Sequence, residues 1–144
     1  MSQVHMYVGI AVLAGNGAAG ITGAVLWLRN HLSNSFWYLL RVAQGTVAVQ
    51  VAIGLILLAR GETAPDGLHI AYGIVPLVIS LVSEGMRVGA AQRELEDVED
   101  LEGLSRADQI AIARRVARSE MGVMTVGTLL ILTLALRAFQ TGGA

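Results

Sequence analysis

Three histidines, His5, His31 and His69, carry the most readily named chemistry in this chain of 144 residues. A neutral imidazole is the commonest nitrogen ligand for a metal and titrates near physiological pH. His31 stands beside Asn30 and Asn34 in a polar stretch and reads as a solvated interface residue. His5 lies just ahead of one apolar run, and His69 lies one residue inside another. The chain has no cysteine, so disulfides, thiol chemistry and thiolate-held metals are excluded. What His5 and His69 can do together depends on the elements that position them.

Those elements are apolar. Of the residues, 54% are hydrophobic and only 15% are charged, and most charges fall between Glu84 and Glu120. About 20 apolar residues in a helix cross a hydrocarbon layer of about 30 Å. Four such runs are predicted, over about 6–28, 36–59, 68–86 and 121–137. The expected fold is an all-α integral membrane antiparallel four-helix bundle, one domain over 1–144, with a helical hairpin at about 88–118 between the last two helices. The first run lacks a basic leader, because no Arg precedes Arg29, and is read as a retained membrane helix. A net charge of −1 gives no reason to expect nucleic-acid binding.

All ten basic residues are Arg. Arg29 and Arg41 flank the first connection, and Arg87, Arg93, Arg106, Arg114, Arg115 and Arg118 crowd the third. The positive-inside rule places these two connections in the cytoplasm and both termini outside the inner (plasma) membrane. Trp27, Trp37 and Tyr38 then form an aromatic belt at the inner interface. Gly61, Pro65, Asp66 and Gly67 supply turn chemistry for the outer loop. Ser105 stands three residues before Asp108, a capping pattern that starts the last helix near Arg106 and runs it to about Phe139. Ile110, Ile112 and Val116 are expected to pack its first turns against Leu95 and Val98. Ala11, Gly15, Ala19 and Gly23, spaced by four on helix 1, suit close helix packing or a flat ligand.

Short connections make the helices alternate in direction, which puts helices 1 and 3 diagonally opposite. His5 and His69 then face each other at matched depth near the outer surface. Two imidazoles so placed can ligate a haem iron from both sides. Arg60, at the outer end of helix 2, suits a haem propionate, since guanidinium and carboxylate pair as forks; otherwise it is a snorkelling end-cap. Tyr72 and Gly73 follow His69 by about one turn and share its face, the glycine leaving room for a macrocycle and the tyrosine lining its edge or joining the interface belt.

The segment from Gln50 to Leu58 (QVAIGLILL), a short polar loop, and then Leu68-His69-Ile70-Ala71-Tyr72-Gly73-Ile74 resembles helix-loop-helix units of haem-binding four-helix membrane proteins. One half of a haem A synthase and the cytochrome b561-like bundles are the kinds it is similar to, over helices 2 and 3. The resemblance implies that His69 is an axial ligand. The synthase's Glu-containing histidine motif is absent, and the four ligands of a two-haem b561 are not supplied. It therefore implies at most one haem b, and no haem A synthesis.

At the inner boundary, Arg41 and Glu84 are expected to pair, extended by Arg118 and Glu120; the pair is structural or part of a proton or substrate path. The bundle's middle offers only Asn16, Gln44, Gln50, Ser80 and Thr125 for a relay. Pro76 is expected to kink helix 3 or be tolerated through its neighbours. Taken together, these features lead to an integral membrane b-type cytochrome holding one haem b through His5 and His69. Its expected roles are electron transfer, haem handling or redox sensing, with a partner protein or quinone. Two readings from other classes stand beside it. One is a copper or zinc site at His5 and His69, with Met1 and Met6 as soft ligands. The other is a cofactor-free homo-oligomeric scaffold docking a cytoplasmic partner. No nucleophile motif or phosphate-binding glycine loop points to a hydrolase.

Overall fold

A computed structural model describes residues 3–141. It is all-α. Helix α1 spans Gln3–Leu28, α2 Asn34–Ala59, α3 Gly67–Leu95 and α4 Arg106–Thr141. All four are long and apolar enough to cross a membrane.

Local chemistry sets the helix ends. Helix α1 stops where Asn30 adopts a left-handed φ of 53° and His31 N–H returns to the Leu26 carbonyl. Ser33 caps α2, its hydroxyl accepting from Ser35 N–H at 3.3 Å. Helix α2 ends on Gly61 at φ 84°, with Glu62 N–H reaching back to the Leu57 carbonyl. Only glycine takes that backbone conformation at little cost. Asp66 caps α3 by accepting from His69 N–H at 2.6 Å. Ser105 accepts from Asp108 N–H at 3.2 Å while its hydroxyl donates to the Asp108 carboxylate at 2.6 Å, so α4 begins where the capping pattern predicts. Pro76 does not interrupt α3.

The helices form a ring in chain order. Helix α4 packs closely against α3 and α1, and α1 against α2; α2 meets α3 sparsely. Helices α1 and α3 are the diagonal pair, as alternating directions require. One apolar cluster joins Val12, Val47, Ile131 and Ala135; a second joins Phe36, Leu40, Met121 and Met124 nearer the 29–33 connection. Of the small residues on α1, Gly15 faces Ala43 of α2, Ala19 is fully buried, and Gly23 lies against Phe36 and Thr125; Ala11 is exposed. From Gly15 onward that stripe is used for helix packing.

The first turns of α4 and the last of α3 form a hairpin, stapled by Arg115 to Glu94 at 3.5 Å. Ile112 is buried there, whereas Ile110 and Leu95 are exposed. Residues two apart on a helix point to nearly opposite sides, so Ile110 and Ile112 cannot share the packed face.

The outside of the bundle is as apolar as its inside. Only 11% of the apolar window of α2 and 17% of that of α3 is buried. Tyr38, Val42, Leu81 and Val82 are each more than half exposed.

Candidate functional site

Four helices and the loop between α2 and α3 enclose a cavity of about 180 Å³ at the histidine end. His5 enters from α1 and His69 from α3. Their ring centres lie 6.1 Å apart and the planes are tilted by 57°. The diagonal placement of α1 and α3 thus brings the two histidines together. His5 is buried at 8% exposure, and His69 is half-buried.

Each ring has a distinct setting. His69 sits in the first turn of α3, its backbone N–H held by Asp66. Its Nδ1 lies 3.2 Å from the Ala138 carbonyl of α4. A carbonyl can only accept, so Nδ1 is the protonated nitrogen and Nε2 keeps the lone pair. This is the tautomer that a backbone carbonyl imposes on metal-ligating histidines. His5 Nε2 lies 3.3 Å from Gln50 Nε2 on α2. A methyl at Gly54 would meet His5 Cε1 at 3.4 Å, an ordinary van der Waals contact, so α2 runs close beside the ring there. A methyl at Gly9 would meet the Gln50 amide at 3.2 Å, tighter than ordinary contact.

Tyr72 and Gly73 line the cavity, and beside Gly73 there is open space. Pro76, one turn further, has no N–H, so the Tyr72 carbonyl lacks its usual helical donor. Val12, Val47 and Ala135 line the apolar part of the cavity, and Glu62 and Pro65 line it from the connecting loop. Arg60 is the C-cap residue of α2; it is exposed and not part of the lining. His31 is exposed in the first connection, remote from the pair in sequence and element.

Two features of the site escape sequence reasoning: Gln50 as the partner of His5, and Gly54 as the residue that lies against its ring. Their spacing is visible, since Gln50 and Gly54 lie one turn apart on one face of α2. What sequence lacks is the rotation of α2 that points this face at α1.

Among the described residues, no group of three or more His, Cys, Asp or Glu side chains is placed to hold a metal ion. Of the expected copper or zinc ligands, His5, His69 and Met6 line the cavity, and Met1 lies outside the described residues.

The 29–33 end has a different polar centre. Arg41 donates to Glu84, as does Gln44 at 2.8 Å. Arg87 contacts the other Glu84 oxygen at 2.9 Å and reaches Glu120 of α4 at 3.1 Å. The expected Arg41–Glu84 pair is present and does extend to Glu120. The linking cation is Arg87, three residues along α3 from Glu84, where helical spacing places it on the same face. The network ties α2, α3 and α4 together.

Comparison of the chain with protein family models, with curated proteins and with solved structures finds no match.

Proposed function

We propose that the protein is an integral membrane b-type cytochrome binding one haem b between His5 and His69. The observation that carries this reading is the 6.1 Å separation of the two rings on diagonal helices. Two imidazoles on opposite sides of one metal, with bonds of about 2.0–2.1 Å and roughly 1.1 Å from nitrogen to ring centre, would have centres roughly 6.3 Å apart, once His5 Nε2 has turned from Gln50 to the metal. The surroundings suit the group. Nε2 of His69 carries the lone pair, Gly73 leaves open space beside it, and Val12, Val47 and Ala135 supply an apolar wall. Bound haem would supply one-electron chemistry. The chain's own part is to hold the imidazoles, keep the pocket apolar and fix the tautomer of His69.

The membrane setting rests on the outward apolar surface. A water-soluble monomer rarely exposes a contiguous apolar patch larger than a few hundred Å². Arginine placement favours the 29–33 and 96–105 connections in the cytoplasm, with the histidine end outside. Arg60, the exposed C-cap residue of α2, would pair with a propionate on this reading. The redox partner is a second protein or a quinone. Because the chain has no cysteine, single Thr63→Cys and Ser35→Cys variants test the orientation. An impermeant maleimide should label Thr63→Cys in intact cells, and Ser35→Cys only after permeabilisation. The reverse pattern overturns the orientation.

The haem reading is tested by the visible spectrum of detergent-purified protein. A Soret band with split α and β bands on reduction is expected. His69→Ala should lose haem, and His5→Ala should lose the six-coordinate spectrum. A colourless wild type overturns the haem, and a wild-type spectrum with full haem content in either variant overturns bis-histidine ligation.

A further inference from the structure

The two histidines are anchored in ways that predict different behaviour. His69 is held at two points: its backbone N–H by the Asp66 carboxylate that caps α3, and its ring by a main-chain carbonyl of α4. The ring contact, through Nδ1, leaves Nε2 as the atom with the lone pair. For His5, Nε2 is itself the atom that meets Gln50. The same nitrogen cannot face the amide and a metal at once.

Gly54 lies against the His5 ring, and Gly9 lies close to the Gln50 amide, where a methyl would crowd it. The amide also suits either tautomer of His5, because it has a donor at one end and an acceptor at the other. As placed, Gln50 Nε2 donates and its buried Oε1 has no hydrogen-bond partner among the described residues. Turning the amide by half a revolution lets Oε1 accept from a protonated His5 Nε2.

We infer that His69 is the permanent axial ligand and His5 the exchangeable one, resting on Gln50 when it leaves the iron. The face that His5 vacates becomes a binding position for a small neutral diatomic ligand. Carbon monoxide is the probe. The inference rests on the haem reading above.

The experiment is an optical titration of the haem-loaded, reduced protein with carbon monoxide, followed at the Soret band. Wild type should show a saturable shift. Gln50→Leu removes the resting contact, so His5 should stay on the iron and the affinity for carbon monoxide should fall by roughly 3–10-fold, as expected for one neutral hydrogen bond. Gln50→Glu, which can still accept from the ring, should restore most of it. His5→Ala should bind more tightly than wild type. Should Gln50→Leu fail to fold, Gln50→Met carries the same comparison. Haem-loaded wild type that is inert to carbon monoxide overturns the inference and leaves the haem reading standing. So does an affinity unchanged by Gln50→Leu. A wild type without any Soret band overturns both.

Discussion

At the 29–33 end of the bundle, Glu84 is gripped by Arg41, Gln44 and Arg87, and Arg87 passes the contact on to Glu120. Phe36, Leu40, Met121 and Met124 fill the space beside this end, with Gly23 pressed against Phe36. At the histidine end, α2 and α3 separate around a cavity of about 180 Å³, and Gly73 faces open space. One end spends its polar groups on holding three helices together. The other keeps two imidazoles 6.1 Å apart in an apolar pocket, with room between the helices that carry them. Helices α1 and α4 meet from the Val12–Ala135 cluster to the Trp27–Gly122 contact, so the bundle is held beside the cavity as well as at the other end.

Glycine substitutions break this comparison most sharply. Gly23→Ala would drive a methyl into Phe36 and Thr125, and should cost about 1–3 kcal/mol in detergent-solubilised protein. Thermal unfolding followed by circular dichroism reads this as a lowered Tm. An unchanged Tm would mean that the packed end tolerates the extra volume.

Glu84→Gln tests the ion-pair centre. It leaves Arg41 and Arg87 without their shared carboxylate, and the side chains are partly exposed, at 27% for Glu84. Solvent screening therefore limits the expected loss to about 1–2 kcal/mol. Haem content should be unchanged, since Glu84 lies about 22 Å along α3 from His69. Co-loss of haem would join two regions that the structure keeps apart.

Gly73→Ala is the smallest effect. The added methyl meets nothing within 4 Å, and Ala has the higher helix propensity, so stability should rise by about 0.4–1 kcal/mol. If a macrocycle fills that space, haem affinity should fall although the protein is more stable. Parallel measurement of Tm and haem content separates the two effects.

Much of the architecture is legible in the residues. The four apolar runs, the Ser105–Asp108 cap and the turn at Gly61 are local signals, and each appears where local chemistry predicts. The diagonal placement of His5 and His69 follows from short connections alone. The partners of these residues are less legible. Gln50 on His5, Arg87 in place of Arg118, and the outward turn of Ile110 depend on how each helix is rotated about its axis. In helices that are apolar all round, hydrophobic periodicity carries little information about rotation. The sparse α2–α3 contact is likewise a tertiary property.

Low-temperature electron paramagnetic resonance of the oxidised, haem-loaded protein tests the central claim most directly, because it reports the ligands on both faces of the iron. The wild type should give a low-spin ferric signal of bis-imidazole type, converting to high spin in His5→Ala. A high-spin wild type, or a low-spin signal unaltered by loss of His5, would contradict it.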